Sequence, residues 1–128
     1  MNFMATVLIV DDSSTEREII SKYLQESGLN ISTAYSGEEA LQTISQSKPD
    51  LIVLDVVLPG LSGFEICRQL KSEENTKKIP IIICSTKGTE MDKFWGLKQG
   101  ADAYLAKPIN GEELLRNVKN LLRLTECS

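Results

Sequence analysis

The chain has 128 residues, 41% hydrophobic and 25% charged, the proportions of one ordinary globular domain with its own core and no room for a second sizeable one. Fourteen Lys and Arg against eighteen Asp and Glu leave a net charge of −4, the wrong sign for gripping a phosphate backbone, so nucleic acid is not an expected partner. Histidine is absent, which excludes Ser-His-Asp and Cys-His catalysis, histidine-ligated zinc and an imidazole base, and leaves carboxylates, lysines, hydroxyls and a hard cation for any chemistry.

Met1 to Thr6 leads into the apolar run Val7–Val10. That run is too short for a signal peptide or a membrane span, so a cytoplasmic protein without membrane insertion is expected. It reads as a buried strand ending in Asp11-Asp12. Ser13-Ser14-Thr15-Glu16 offers a capping box for a first helix that turns Ile19, Ile20, Tyr23 and Leu24 inward and stops at Gly28. Ile31–Tyr35 is a second strand, and Ser36-Gly37-Glu38-Glu39 caps a helix carrying Ala40, Leu41 and Ile44 that ends before Pro49. Leu51–Leu54, apolar throughout, ends in Asp55; a long connection over 56–63 with Pro59-Gly60 inside it precedes a helix near Phe64–Glu73 that offers Phe64, Cys67 and Leu70. Ile81–Cys84 ends in Ser85-Thr86, and the helix after it, near Glu90–Gln99, spaces Met91, Phe94, Trp95 and Leu97 as a core face. Ala103–Ala106 ends in Lys107-Pro108. Asn110-Gly111-Glu112-Glu113 then opens a last helix to Leu124 with Leu114, Leu115, Val118, Leu121 and Leu122 inward, while Arg116, Lys119 and Arg123 read as a solvated basic row. The cysteines, Cys67, Cys84 and Cys127, are too widely spaced for a disulfide framework or a thiolate metal site, and Cys84 reads as a small core residue.

Five apolar runs begin about 20 to 30 residues apart with helical stretches between them. The expected fold is α/β, a (βα)5 flavodoxin-like three-layer sandwich on a five-stranded parallel sheet in the order 2-1-3-4-5. In such a sheet ligands bind at the carboxyl edge where the strand order reverses, between strands one and three. Asp11, Asp12 and Asp55 converge there. Three close carboxylates repel unless a cation joins them, and an all-oxygen set points to Mg²⁺, or Mn²⁺, over a soft metal. Lys107 adds an ammonium on the opposite flank and Ser85 a hydroxyl. Together they form an electrostatic clamp for a phosphoryl group, with Asp55 the natural nucleophile. A lone aspartate at a strand end is commonly a turn former, and Asp12 reads equally as a cap of the first helix. The joint occurrence of four such signals at successive strand ends favours function.

From about Thr6 to Leu124 the chain resembles the response-regulator receiver domain, the CheY-like family. The motifs are Val7-Leu8-Ile9-Val10-Asp11-Asp12, Asp50-Leu51-Ile52-Val53-Leu54-Asp55, Leu58-Pro59-Gly60 with Gly63, Gly100-Ala101, and Lys107-Pro108. The resemblance implies phosphoryl transfer from a phosphohistidine of a sensor histidine kinase or phosphotransfer domain onto Asp55. It implies Mg²⁺ held by Asp12, Asp55 and the carbonyl of Val57, with Asp11 holding a water of the metal's shell, and Ser85 and Lys107 touching the phosphoryl oxygens. It implies a cis bond between Lys107 and Pro108. Ser85 and Tyr104 match the family's switch pair, which couples the site to a surface made by helix four, strand five and helix five; the plainer reading of Tyr104 is a half-buried edge residue with its hydroxyl in water. Trp95, Tyr104 and Lys93 are the candidate contacts for a downstream protein target, although Trp95 reads equally as core.

The segment from Asp92 to Leu105 is similar to the stand-alone PilH-like receivers of pilus-motility chemosensory systems, including those used in phototaxis. A single receiver domain over 1–128 (core about 6–124) with no output domain is therefore expected, a monomer for which the family also allows a phosphorylation-dependent dimer. It is not an enzyme beyond its own phosphorylation and dephosphorylation. Two departures from the common pattern, Val57 and Lys87, stand where the family tunes access of the hydrolytic water. The rival readings are a phosphate-independent binding scaffold on the same fold, and a small aspartyl-phosphate phosphohydrolase, which Val57 disfavours because that position lacks the second aspartate.

Overall fold

A computed structural model of the chain describes the backbone of residues 5–127 and the side chains of residues 5–123, so Met1–Met4 and the side chains of Leu124 and Cys127 lie outside the described residues. Five strands, β1 (Thr6–Val10), β2 (Asn30–Ala34), β3 (Leu51–Leu54), β4 (Ile81–Ser85) and β5 (Ala103–Ala106), alternate with five helices. These are α1 (Ser14–Gln25), α2 (Gly37–Gln46), α3 (Gly63–Ser72), α4 (Glu90–Lys98) and α5 (Gly111–Cys127). All strand pairs are parallel, in the order β2-β1-β3-β4-β5, as the apolar runs predict. No helix among the described residues is long and apolar enough to cross a membrane.

The three central strands are apolar on both faces because both faces are covered. Leu8, Val10, Ile52, Leu54, Ile81 and Ile83 pack under α2 and α3 with Ala40, Ile44, Ile66, Cys67 and Leu70. Val7, Ile9, Leu51, Val53, Ile82 and Cys84 face the other way, toward Ile20 and Leu24 of α1 and Leu114 and Val118 of α5. At about 1.5 to 3 kcal/mol for each fully buried aliphatic side chain, these two layers dominate the stability of the domain. Ser13, Ser36 and Ser62 accept from the amides of Glu16, Glu39 and Glu65 and so start α1, α2 and α3; Asn110 does the same for α5 through the Glu113 amide. The reciprocal half of the expected boxes is absent at α1 and α2. Glu39 accepts from the Tyr35 amide, and Glu16 turns toward Lys107.

Several inward assignments need correction. Ile19 and Tyr23 of α1 are exposed, because Ile20 and Leu24 already fill the contact with the sheet and the Tyr23 ring packs against Gly111 at the start of α5. β2 ends at Ala34, and Tyr35 points out at the edge of the sheet. The largest difference is α4: Met91, Phe94, Trp95 and Leu97 are 64%, 55%, 49% and 51% exposed, and Gly96 is its one buried residue. Phe94 instead stacks edge-on against Trp95, with the Lys98 ammonium over its ring.

Candidate functional site

Register delivers the site. Val10 pairs with Leu54, and the ladder continues one step past the strand ends, where the Asp55 amide donates to the Val10 carbonyl at 2.9 Å and the Lys107 amide to the Ser85 carbonyl at 2.9 Å. Asp11, Asp55, Ser85 and Lys107 are thereby fixed by backbone hydrogen bonds at one edge of the sheet. A tight β3–α3 connection closes under them: the Gly63 amide donates to the Val56 carbonyl at 2.8 Å, and a Cβ on Gly63 would lie 2.1 Å from the Asp55 carbonyl oxygen, so only glycine fits there. Glu38, on the first turn of α2, accepts from the Leu61 amide at 3.3 Å and ties that connection down from the other side.

Oxygens of Asp11, Asp12 and Asp55 lie within 4.8 Å of one another, with Asp11 and Asp55 buried and Asp12 exposed. The Lys107 ammonium donates to Asp11 Oδ2 at 2.7 Å and to Asp55 Oδ2 at 3.1 Å. Burial alone would lower its pKa, but the hydrogen bonds and charges of those two carboxylates outweigh burial and hold it above the ordinary lysine value. The other oxygens have their own donors: Asp11 Oδ1 accepts from the Ser13 amide and Asp55 Oδ1 from the Val57 amide at 3.2 Å. Ser85 is fully buried beside them, its hydroxyl accepting from the Lys87 amide. Hard carboxylate oxygens with no thiol or imidazole among them fit a small divalent cation. The Lys107–Pro108 bond is cis.

The candidate site residues Asp11, Asp12, Asp55, Ser85 and Lys107 thus meet at one edge. Val57 contributes an amide to the Asp55 carboxylate while its side chain is exposed at the rim. Tyr104 departs from both a partner contact and a half-exposed edge residue: it is 9% exposed, its ring lies under α4, and its hydroxyl donates to the Lys87 carbonyl. Burial first, then the Asp92 and Asp55 carboxylates, push its phenol up to about 12. Lys93 is half-buried, and Trp95 is on the surface.

Two residues escaped the sequence reading. Glu16 Oε2 stands 4.0 Å from the Lys107 ammonium, and Arg17 donates to the Asp11 carbonyl at 2.6 Å. Both sit in the first turn of α1, where a glutamate reads as a capping residue and an arginine as surface. Nothing in their spacing points back to the strand end.

The model of the response regulator receiver domain matches residues 7–119. The chain is 43% identical over 119 residues to the protein PilH of Pseudomonas aeruginosa, covering 93% of this chain and 98% of that one. It is 45% identical to the phosphate regulon transcriptional regulatory protein PhoB of the same organism, across 94% of this chain but about half (52%) of the length of PhoB. Among solved structures it is similar to the chemotaxis response regulator CheY4 of Vibrio cholerae, with TM-score 0.86, 35% identity, and coverage of 93% and 99% of the two chains. The receiver domain of the Francisella response regulator 1452 superposes with TM-score 0.88 at 34% identity, covering 94% and 98%. On this match across nearly its whole described length, the chain belongs to the response regulator receiver domain family.

Proposed function

We propose that the chain is a phosphoacceptor switch in which Asp55 takes a phosphoryl group from the phosphohistidine of a sensor histidine kinase or phosphotransfer domain. The observation that carries this reading is the Asp55 carboxylate itself, 8% exposed, with an ammonium at 3.1 Å and two further carboxylates beside it. Receiver domains hold Mg²⁺ in such an acidic pocket, and Asp11, Asp12 and Asp55 would hold it here, with the Val57 carbonyl at the rim and Mn²⁺ an equivalent hard ion. A dication there neutralises the charge that gathers when a carboxylate meets a phosphoryl group. Attack by a carboxylate oxygen of Asp55 forms the acyl phosphate O–P bond as the P–N bond to the donor imidazole breaks and that nitrogen takes up a proton. Lys107, already hydrogen-bonded to Asp55 Oδ2, moves its ammonium onto a phosphoryl oxygen, and the buried Ser85 hydroxyl turns to another.

Receiver domains act on downstream partners and are not enzymes in the ordinary sense; the chemistry proposed here ends on the protein's own Asp55. The proposed role is in pilus-driven, chemotaxis-like motility, twitching or phototactic, in the cytoplasm; the likeness to PilH supports the pilus-motility part of that proposal. The proposed unit is one receiver domain over 1–128, core about 6–124, acting as a monomer or as a phosphorylation-dependent dimer, with Trp95 and Lys93 on α4 meeting the target. Ser85 and Tyr104 form the proposed link from site to surface. Intact mass after incubation with a small phosphodonor tests the reading: one phosphoryl group is gained in Mg²⁺, and none without the metal or in Asp55→Asn. No gain under any condition leaves a phosphate-independent scaffold.

A further inference from the structure

Helix α4 is seated on the domain in an unusual way. Its four large apolar residues face solvent, and its buried residue is Gly96. A Cβ placed on Gly96 would lie 2.5 Å from Cδ2 and 2.7 Å from Cε2 of Tyr104, and 3.3 Å from Cδ1 of Ile83. The helix backbone therefore rests directly on the edge of the Tyr104 ring. The same side chain reaches forward to the segment that leads into α4, where its hydroxyl donates to the Lys87 carbonyl. Gly96 lies within an ordinary helix and has no positive φ, so backbone conformation does not call for glycine there. Glycine is also the poorest helix former after proline. What the position requires is the missing side chain.

We infer that Gly96 is a positioning residue that keeps Tyr104 turned inward, and that the contact between this glycine and that ring is what seats α4. Further attachments lie at the far end, where the Cys67 thiol of α3 donates to the Gln99 carbonyl, the Asp102 amide donates to the Ile81 carbonyl, and Lys71 of α3 bridges to Asp102 at 3.0 Å. With that end pinned, losing the seat frees the middle and the leading end of the helix, and with them Met91, Phe94 and Trp95. That a movement of Ser85 transmits to this seat rests on the phosphoacceptor reading; the seat itself does not.

The test is a thermal-unfolding cycle of wild type, Gly96→Ala, Tyr104→Ala and the double variant, without phosphodonor. Gly96→Ala lowers the midpoint in the wild-type background, because the methyl collides with the ring, and raises it in the Tyr104→Ala background, where the end of the Ile83 side chain shifts into the vacated space and the better helix propensity is left. The same sign in both backgrounds overturns the inference. Where the single variant fails to fold, a folded double variant supports it, and a double variant that also fails to fold overturns it. A second readout reports the ring directly. With Tyr23 and Tyr35 changed to Phe, the remaining phenol titrates at a value raised to about 12, and Gly96→Ala brings it down toward the ordinary tyrosine value whether ring or helix gives way. An unchanged titration overturns the inference. Loss of phosphorylation at Asp55 in wild type would sink the phosphoacceptor reading and leave both of these readouts standing.

Discussion

Lys107 occupies a position that a bound metal ion would contest. Its ammonium donates to Asp11 and Asp55 at 2.7 and 3.1 Å, and these are two of the three carboxylates available to a dication. Removing the ammonium while keeping a side chain of similar shape therefore frees ligands. Lys107→Met is expected to bind Mg²⁺ about tenfold more tightly, about 1.4 kcal/mol, by titration calorimetry, while losing most phosphorylation of Asp55 because no cation meets the incoming phosphoryl oxygens. Equal or weaker affinity would mean that the ammonium and the metal do not compete. Val57 argues a second case at this scale. Its exposed apolar side chain stands at the rim beside Asp55 and offers no atom that orients a hydrolytic water. Val57→Asn should shorten the life of the proposed acyl phosphate by about tenfold, read as loss of the phosphorylated mass with time, against about a hundredfold or more where a fully placed base is gained. Unchanged decay would show that the Val57 side chain does not limit attack by the hydrolytic water.

At the scale of elements, α4 is where sequence and structure part. The central strands were legible: Leu51–Leu54 and Ile81–Cys84 are apolar on successive residues, and nothing but burial on both faces accounts for that. The carboxyl-edge residues were legible for the same reason, since each stands one step past such a run. Spacing of Met91, Phe94 and Trp95 marks a face but not the direction it points, and Gly96 carried no apolar signal to reveal that the backbone itself makes the contact. Glu16 was hidden by a different ambiguity, because one carboxylate serves equally as half of a capping box or as a neighbour of Lys107. The N-terminus of α4 is tied by a box the sequence reading passed over: Thr89 accepts from the Asp92 amide, and the Asp92 carboxylate accepts from the Thr89 amide and hydroxyl. Those hydrogen bonds from Thr89, side chain first and backbone second, hold the Asp92 pKa below the ordinary aspartate value. A carboxylate depressed in the folded state contributes its stability above its unfolded value, and that contribution is lost as pH falls through the depressed one. The leading turn of α4 should therefore loosen on acidification while the rest of the domain still holds. Amide shifts of Thr89 and Asp92 would follow a single depressed titration, absent in Asp92→Asn; shifts that persist in that variant would place the proton elsewhere.

The whole molecule balances two apolar layers, one on each face of a five-stranded sheet, against a cluster of like charge at the sheet's carboxyl edge. Lys107 pairs with Asp11 and Asp55, while Asp12 stays solvated at the surface. Like-charge repulsion within the cluster is therefore reduced but not removed in the metal-free protein. Any ion that binds the folded cluster and not the unfolded chain stabilises the entire domain, by about 2.7 kcal/mol when its concentration is about a hundred times the dissociation constant. Mg²⁺ in that excess should raise the thermal midpoint by several degrees. Asp12→Ala separates the two effects, since it removes both a ligand and a source of repulsion. Its metal-free midpoint should equal or exceed that of wild type, while its response to Mg²⁺ falls to little or nothing. A wild-type midpoint that ignores Mg²⁺ would show that the carboxylates are reconciled by Lys107 alone, and an Asp12→Ala midpoint that still climbs would place the ion on Asp11 and Asp55 without the exposed member of the cluster.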